Sequence, residues 1–585
     1  MFNLYALKIS NYKSFGFDTQ ELIFQSNKIV LIGKNNAGKT NIITALDILI
    51  GSRHPKYINI DENAFNDITK PITIELTILS TDINDIYLIA SAAKKHQDKF
   101  YSDFKKDKNP TIKFSFSQSV KKEINESEDE PEDKTEKFFI EIAGLKVYQK
   151  IAEIRSQIIK QITAIPTRNA KDDLTASTWT SYGNLMKSVL ENSPAYPQIS
   201  TALNNLNNLL LTALENERKD LLNTSQTLTF IDDLKFQITK ENKPSELLRN
   251  LEIFVSENGI FNHIDTVGTG TQSAIIIGIL ELALKYKTTN TKCFVIEEPE
   301  IFLHPLGIRY LGQLFGNYSA HKINQIILTT HSPILLSSFH PIEIARIEKV
   351  QGKSVIIQLP HDFTDTKNKI ERTFNSKNAE MYFADLVLLV EGESDEIMLN
   401  RISEKVINKK GESLNFLKKG VSVVDIKGKA NITSFIKILD SFKIKYKAVL
   451  DNDFLSVRNH YETLCDYLGI NTQQDINTIR KELFSKGIYI FSCGEIEDLI
   501  PNPIISNLAE ISIEEVINLK NQYEKTSDAF KKIFGYGKPE YAYTISDYYL
   551  LQPYSPFDRI IKWVVGSEKI QSQISLIPVT DDELF

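Results

Sequence analysis

The sequence predicts an α/β protein that contains two separate, largely parallel sheets. The first observation is an apolar segment at 29–32, followed by the glycine-rich loop Gly33–Thr40 and by apolar residues at helical spacing. The second is a series of short, continuous apolar segments that alternate with helical ones, over residues 260–350 and again from residue 381. Such segments are typical of parallel strands whose sheet is covered by helices on both faces.

Composition limits the classes of function. The 585 residues are 42% hydrophobic and 24% charged, which is typical of a folded globular protein. The net charge of −7 excludes a uniformly basic nucleic-acid binder, so any contact with DNA needs local basic patches or bound metal ions. Three scattered cysteines without a C-x-x-C pair disfavour a zinc ribbon. We expect a cytoplasmic protein, because we find neither a leader segment nor a long apolar run.

The first candidate site is the loop that reads G-x-x-x-x-G-K-T. In this pattern, backbone N–H groups surround the phosphates of a nucleotide, and the positive end of the following helix adds to their attraction. We predict that Lys39 reaches the β- and γ-phosphates and that Thr40 ligates Mg²⁺. The predicted ATP contacts in this stretch are Gly33, Asn35, Gly38, Lys39, Thr40 and Asn41.

Two further strand ends predict the rest of an ATPase site. Glu297 and Glu298 follow an apolar strand; the first is predicted to orient Mg²⁺ through water and the second to align or deprotonate the attacking water. His331 ends the next apolar strand, where we predict that it senses the γ-phosphate.

A second candidate anion site precedes the helical segment that begins near Ala274. Its small residues and the helix N-terminus would attract phosphate oxygens. Since the chain already has one P-loop, we interpret this segment as closing over ATP bound by another subunit. The predicted contacts are Gly268, Gly270, Gln272 and Ser273.

Three acidic groups follow three apolar strands in the C-terminal part of the chain. They are Glu391-Gly392-Glu393-Ser394-Asp395, Asp451-Asn452-Asp453 and Glu495-Ile496-Glu497-Asp498. The carboxyl ends of parallel strands meet at one edge of a sheet, so these carboxylates should converge. Carboxylate oxygens bind Mg²⁺ or Mn²⁺, and paired divalent ions can activate water for phosphodiester cleavage. The Gly428-Lys429 turn follows another strand, where the lysine contacts either a DNA phosphate or only a helix N-terminus.

The motifs of the N-terminal part resemble the ABC-type ATPase heads of the RecF, SMC and OLD group. The resemblance rests on the P-loop, on Gly268–Ser273, on Glu297-Glu298-Pro299-Glu300 and on Thr330-His331-Ser332-Pro333. It implies a dimer of heads with two ATP molecules held between Walker and signature motifs. Because the signature segment is not the usual transporter type, the resemblance speaks against a transporter.

The C-terminal acidic pattern resembles a Toprim domain, with Glu391 after one strand and Asp451-x-Asp453 after a later one. An ATPase head followed by a Toprim domain is similar to the OLD family of nucleases. This resemblance implies an ATP-regulated, divalent-metal-dependent DNA endonuclease of bacterial anti-phage defence. It also implies metal ligands at Glu391, Asp395, Asp451, Asp453 and Glu497, with Glu495 as an alternative to Glu497, and a catalytic lysine at Lys538.

The OLD family includes the nuclease subunit of the Gabija system and nucleases associated with retrons. The expected partners are therefore DNA, further copies of this chain in a dimer or tetramer, and either a helicase subunit or a reverse transcriptase with its RNA/DNA. No membrane partner is expected. The alternative function is an SMC/RecF-like, ATP-driven DNA clamp without nuclease activity.

We predict five segments along the chain. Residues 1–146 and 259–360 form the two parts of the ATPase, residues 361–380 a linker, and residues 381–585 the Toprim nuclease domain. Residues 147–258 are predicted to be a helical insertion, because leucines such as Leu206 and Leu210 recur at helical spacing. Its apolar face packs either on its own chain or on a second subunit as a dimerisation arm.

Overall fold

The computed structural model describes most of the chain in two units, here called the N-terminal unit (residues 2–360) and the C-terminal unit (residues 377–566). The prediction of an α/β protein with two largely parallel sheets is confirmed. The described residues are 2–51, 53–80, 111–120, 137–142, 144–147, 151–161, 163–167, 186–187, 189–191, 193–216, 218–219, 244, 252–257, 259–268, 270–272, 274–275, 278, 292–301, 303–317, 325–360, 377–492, 494–551 and 555–566.

A six-stranded sheet carries the P-loop. Neighbouring strands in it are parallel, apart from the antiparallel pair β13/β14 at one edge. All five residues of the central strand β3 are buried, and the strand leads directly through the loop into helix α1 (Lys39–Ile50). In spatial order, the strands are β14 (Lys353–Gln358), β13 (Ile344–Val350), β3 (Lys28–Ile32), β12 (Gln325–Thr329), β11 (Lys292–Glu297) and β8 (Thr163–Thr167).

A second, antiparallel sheet covers one side of the N-terminal unit. In β4 the side chains of Ile72, Ile74, Leu76 and Ile78 are buried, because alternate residues of a strand point to the same face. These side chains share a core with helix α1. In spatial order, the strands are β2 (Gln20–Ile23), β1 (Phe2–Ser10), β4 (Ile72–Ser80), β5 (Thr111–Gln118), β6 (Phe138–Ile142) and β7 (Leu145–Val147). A separate hairpin joins β9 (Phe254–Glu257) to β10 (Ile260–His263).

The C-terminal unit is built on a four-stranded, wholly parallel sheet. Its spatial order is β16 (Val421–Asp425), β15 (Leu386–Val390), β17 (Tyr446–Leu450) and β18 (Ile488–Ile490). The four apolar segments of the sequence are therefore strands, and their carboxyl ends all point to one edge. The order reverses between β15 and β17, which is the kind of place where parallel sheets bind ligands.

Helices complete both units. In the described part of the N-terminal unit, the longer continuous helices after α1 include α2 (Ile151–Gln161), α3 (Tyr196–Ala213) and α4 (Pro305–Asn317), and α5 (Pro333–Leu336) is a short one. Those of the C-terminal unit are α6 (Glu393–Ser403), α7 (Ile432–Ser441), α8 (Arg458–Leu468), α9 (Ile476–Ser485), α10 (Asn502–Ala509), α11 (Ile513–Gln522), α12 (Thr526–Phe534), α13 (Lys538–Tyr548) and α14 (Pro556–Val565). Among the described helices, none combines the length and the apolar character needed to cross a bilayer.

Two of the predicted segments differ from the structure. Residues 147–258 are not wholly a helical insertion, because Thr163–Thr167 pairs with β11 as an edge strand of the ATPase sheet. The backbone hydrogen bonds of this strand are made with β11, which is far away in sequence. Local periodicity therefore does not reveal the strand. The linker prediction 361–380 is wrong at its end, since Asn378–Phe383 forms a 3-10 helix with buried apolar side chains. Residues 168–185, 220–243 and 361–376 lie outside the described part of the chain.

The two units share a buried interface. Apolar side chains of both sheets belong to one continuous core, and the rings of His331 and Phe383, one from each unit, lie with centroids 6.4 Å apart. Arg346 of β13 donates from Nη1 to the carbonyl oxygen of Phe442 at 3.0 Å, in a buried position. A buried hydrogen bond of this kind restrains the two sheets, because breaking it would leave polar groups without partners.

Candidate functional site

The P-loop has the backbone conformation that its glycines permit. Gly33 and Gly38 have φ angles of 147° and 116°, which residues other than glycine rarely adopt. A methyl group at Gly33 would also overlap the carbonyl oxygen of Ile347. Lys39 is buried at the start of α1 and donates from Nζ to the carbonyl oxygen of Gly33 at 2.9 Å. The loop is therefore already folded around the position of its lysine.

Lys39, His331 and Glu298 come together, as the sequence predicted for an ATPase site. Lys39 Nζ lies 2.7 Å from His331 Nε2, and His331 Nε2 lies 3.5 Å from Glu298 Oε1. Burial lowers the pKa of Lys39, and burial together with the charge of Lys39 lowers the pKa of His331. The lowered pKa of His331 favours the neutral imidazole, whose Nε2 can accept a hydrogen bond from the ammonium group in the matching tautomer. Glu298 itself adopts a positive φ of 44°, which turns its side chain towards the histidine side of the site.

Glu300 is a residue whose role the sequence did not reveal. Its Oε1 accepts hydrogen bonds from Thr330 Oγ1 at 2.6 Å and from the His331 backbone N–H at 2.9 Å. These bonds join the ends of β11 and β12 and so fix the position of His331. The Glu297-Glu298-Pro299-Glu300 segment indicates that carboxylates gather at this strand end. It does not indicate which of them accepts hydrogen bonds from the neighbouring strand.

The remaining residues that were predicted to contact the nucleotide lie in different environments. Asn35 and Thr40 are exposed, and Asn41 donates from Nδ2 to Ser14 Oγ at 2.7 Å. Glu297 is the last residue of β11, beside Glu298. All of them lie on the P-loop, on α1 or at the neighbouring strand end.

The second anion segment is only partly described. Gly268 and Gly270 are exposed, and a methyl group at Gly268 would meet no atom within 4 Å. The Gln272 side chain is buried and donates to the carbonyl oxygen of Ile264 at 2.9 Å, so it supports the turn from within its own chain. Ser273 lies outside the described residues. The exposed glycines leave this surface accessible to another molecule.

The acidic groups of the C-terminal unit converge at the carboxyl edge of its sheet. Glu391, Asp451 and Asp453 each present a carboxylate oxygen, and these three atoms lie within 4.8 Å of one another. The backbone N–H of Asp451 donates to Glu391 Oε1 at 3.2 Å, which ties the ends of β15 and β17 together. Asp395 joins from the first turn of α6, where its Oδ2 accepts from the Gly392 N–H at 3.1 Å.

Crowding of buried carboxylates disfavours their ionised forms. Burial, and then the charge of Asp453, raises the pKa of Glu391 to about 7. Burial raises the pKa of Asp395 and of Asp451 as well, and neighbouring carboxylates raise both further. Like charges at this distance favour uptake of protons or cations.

Both glutamates of the third acidic group reach the site. Glu497 is 1% exposed, and its Oε1 accepts from Tyr541 Oη at 2.6 Å and lies 3.7 Å from Lys538 Nζ. Glu495 lies nearer the rim, where its Oε2 accepts from the Ser527 N–H at 3.0 Å. The charges of Glu497 and Glu495 both raise the pKa of Asp451, so both glutamates act on the acidic cluster. Tyr541 was not predicted, because nothing in its local sequence marks it.

Two lysines on the rim bind the same carboxylate oxygen. Lys429 Nζ lies 2.7 Å and Lys525 Nζ 3.1 Å from Asp453 Oδ2, and Lys525 also lies 3.3 Å from Glu495 Oε1. Burial opposes ionisation of Asp453, but the hydrogen bonds and charges of these lysines outweigh it and lower its pKa. Lys525 was not predicted, because nothing in its local sequence marks it.

The carboxylate group fits a divalent cation. Asp453 Oδ1 is buried and has no hydrogen-bond partner among the described residues, and Asp453 belongs to the cluster with Glu391 and Asp451. Oxygen donors of this kind suit Mg²⁺ or Mn²⁺. A bound cation would give the unpartnered oxygen a ligand and would offset the mutual repulsion of the carboxylates.

Comparisons with known families agree with this division of the chain. The model of a family described as "AAA ATPase domain" matches residues 3–336. The model described as "Overcoming lysogenization defect protein-like, TOPRIM domain" matches residues 382–453, which contain Glu391, Asp451 and Asp453.

Relatives of similar length are nucleases by name. The Old nuclease of Escherichia phage P2 is 22% identical over 541 residues, which cover 80% of this chain and 88% of that protein. Endonuclease GajA of Bacillus cereus (strain VD045) is 23% identical over 573 residues, which cover 91% of this chain and 85% of that protein. Among solved structures, the Pyrococcus furiosus Smc head domain bound to a ScpA domain matches with a TM-score of 0.37, 13% identity, and coverage of 61% and 96%.

Proposed function

We propose that this chain, which belongs to the AAA ATPase domain family and carries a Toprim domain, is an ATP-regulated, divalent-metal-dependent DNA endonuclease. One observation carries the proposal: oxygens of Glu391, Asp451 and Asp453 lie within 4.8 Å of one another at the carboxyl edge of a parallel sheet. Two relatives that this chain matches over most of its length are named nucleases, which supports the same activity.

The carboxylates would hold the metal ions, and nearby groups would handle the phosphate. Glu391, Asp395, Asp451, Asp453 and Glu497 are the proposed ligands, as in the sequence-based prediction, and Glu495 joins them as a rim carboxylate. Mg²⁺ or Mn²⁺ bound there would supply Lewis-acid polarisation of the phosphate and a more acidic water. Lys538, held by the buried Glu497, would stabilise the negative charge that develops on the phosphate oxygens.

The nucleotide site would control cleavage from a distance. Lys39 and Thr40 would hold the phosphates and Mg²⁺, Glu297 would orient Mg²⁺ through water, Glu298 would align the attacking water, and His331 would sense the γ-phosphate. The distance of 2.7 Å between Lys39 Nζ and His331 Nε2 supports the role of His331 as a sensor. A γ-phosphate bound there would replace the contact between these two groups with contacts to its own oxygens.

Assembly and biological role extend the same proposal. A second copy would complete the nucleotide site through Gly268, Gly270, Gln272 and Ser273. Exposed Leu206, Leu209 and Leu210 on α3 support dimerisation through the segment 147–258, since such a helix face normally packs on a partner. We place the protein in the cytoplasm, in anti-phage defence, with a helicase subunit or a reverse transcriptase as the further partner.

The test is cleavage of plasmid and phage DNA by purified protein. Wild type, Glu391→Ala and Lys39→Ala are compared with Mg²⁺ or Mn²⁺ and with EDTA, each in the presence and absence of ATP. We expect cleavage that needs the metal, that falls at least a hundredfold in Glu391→Ala, and that loses its response to ATP in Lys39→Ala (about 3 kcal/mol for a hundredfold loss).

Glu404→Ala is the matched control, because Glu404 is an exposed carboxylate just beyond the far end of α6. It should cleave as wild type does. Absence of cleavage by wild type in every condition, or full activity of Glu391→Ala, would refute the nuclease proposal. Tight, ATP-dependent DNA binding without cleavage would instead support the clamp that is the alternative function.

A further inference from the structure

The open side of the acidic cluster carries two ammonium groups that the proposed metal site does not use. Lys429 and Lys525 both bind Asp453 Oδ2, whereas Lys538 lies on the inner side, beside the buried Glu497. The Lys525 side chain is 48% exposed and the Lys429 side chain 21% exposed, so both lysines are accessible to solvent while they contact Asp453. A buried structural ion pair would not present its cation in this way.

Space beside these lysines is open. Lys429 follows Gly428, which has a φ of 100° and whose N–H donates to the carbonyl oxygen of Glu391 at 3.0 Å. A methyl group at Gly428 would meet no atom within 4 Å, and the same is true of Gly392 at the end of β15. The backbone thus turns tightly against the site and leaves open space beside both glycines.

Electrostatics requires a cationic contact at this place. The chain has a net charge of −7, and the cluster itself adds several carboxylates that repel a phosphodiester backbone. Divalent ions offset only part of that repulsion. A strand of DNA that reaches the cluster therefore needs basic groups at the rim, and Lys429 and Lys525 lie there, on the carboxylate nearest solvent.

Resting on the nuclease proposal, we infer that Lys429 and Lys525 form a phosphate-binding pair for the DNA strand at the rim of the site. In the metal-free protein, Asp453 holds both ammonium groups in place. When Asp453 ligates a cation, the positive charge of the ion weakens the attraction between Asp453 and the two lysines, which then turn to non-bridging phosphate oxygens. In this arrangement, Lys429 of the Gly428-Lys429 turn contacts a DNA phosphate and not only a helix N-terminus.

Binding without cleavage provides the test. A fluorescent DNA duplex is titrated by anisotropy with Ca²⁺, which takes oxygen ligands, and separately with EDTA, over salt concentrations of about 50 to 200 mM. Each phosphate contact contributes about 0.9 to the slope of log K against log salt. We expect Lys429→Gln and Lys525→Gln each to reduce the slope by about 1 in Ca²⁺, and neither to reduce it in EDTA.

Charge-preserving and remote variants serve as controls. Lys525→Arg should keep the wild-type slope, and Lys418→Gln should keep it as well, because Lys418 is exposed at the opposite edge of the sheet, before β16. Lys525→Arg also guards against a folding defect of the Gln variant, which is checked by thermal unfolding.

Two results would overturn the inference. The first is an unchanged slope in Ca²⁺ for both Gln variants while wild type binds DNA. The second is a change of Mn²⁺ affinity without any change of slope, which would make the lysines mere partners of the metal site. If wild type does not bind DNA at all, the nuclease proposal fails first, so the two failures are distinguishable.

Discussion

Lys34 of the P-loop forms an ion pair with Asp385, the residue that precedes the first strand of the Toprim sheet. The lysine stands next to Gly33, whereas Asp385 lies at the opposite end of β15 from Glu391. A residue of the P-loop therefore contacts the residue just before the strand that leads to the carboxylate cluster. Both side chains are more than half exposed, so the pair contributes at most about 1 kcal/mol to the free energy of unfolding.

Removing Asp385 should strengthen nucleotide binding. In Asp385→Ala, Lys34 no longer has a competing carboxylate and can approach the phosphates, so we expect ATP to bind about two- to fivefold more tightly, the equivalent of 0.5 to 1 kcal/mol. Calorimetric titration with ATP measures the change, which should shrink at high salt.

A double variant isolates the Lys34–Asp385 pair. Asp385→Ala should have no effect on ATP affinity in a Lys34→Ala background, since its effect acts through the lysine. An equal strengthening in both backgrounds would show that Asp385 repels the nucleotide directly and that the ion pair is incidental.

The charge of Lys39 should control the pKa of His331. Burial and the charge of Lys39 both lower that pKa, so Lys39→Met should raise it and also weaken ATP binding at least tenfold through loss of a charge-assisted hydrogen bond. NMR titration of the His331 ring measures the pKa. Lys39→Arg keeps the charge and should leave the pKa low; a histidine that titrates alike in all three proteins would contradict the contact.

Stability of the metal-free protein should fall as pH rises through the Glu391 titration. Native Glu391 takes up its proton near pH 7, whereas the ordinary value is 4.5, so between these values the native state holds more protons than the unfolded chain. The free energy of unfolding should therefore decrease from about pH 4.5 to about pH 7, by up to about 3 kcal/mol for this group. Urea unfolding in EDTA measures it.

Glu391→Gln should remove the contribution of Glu391 to this decrease in the free energy of unfolding, because the glutamine amide does not titrate. Mg²⁺ should stabilise wild type more at pH 8 than at pH 5, since it binds the ionised carboxylates. Identical pH dependence in wild type and Glu391→Gln would mean that Glu391 is ionised throughout.

Gly33→Ala should destabilise the N-terminal unit more than an ordinary glycine substitution does. The new methyl group would overlap the carbonyl oxygen of Ile347, at a residue whose φ is 147°. We therefore expect the free energy of unfolding to fall by about 3 kcal/mol or more and nucleotide binding to be lost. Gly352→Ala is the matched control. Gly352 also has a positive φ, but open space surrounds it, so only about 1 to 2 kcal/mol should be lost in thermal or urea unfolding. Equal losses would show that the P-loop shifts to accommodate the methyl group.

Much of the fold could be predicted from local sequence. The P-loop between β3 and α1 and the four strands of the Toprim sheet follow from patterns only a few residues long. The strand at Thr163–Thr167 was missed, because its partner β11 lies more than a hundred residues away and its own sequence is short and ambiguous. Exposed leucines on α3 bear out the apolar stripe but do not say what covers it.

The kinds of chemistry in this chain can be inferred from short segments, because the G-x-x-x-x-G-K-T loop and the acids that follow apolar strands consist of neighbouring residues. Which of these groups meet depends on the folded chain. Lys525 reaches Asp453 across 72 residues and Lys34 reaches Asp385 across 351, and the charges of both Glu495 and Glu497 act on Asp451. Such pairings depend on how sheets and helices pack. That packing is set by the burial of apolar surface over the whole chain and leaves no mark in the sequence around a single lysine.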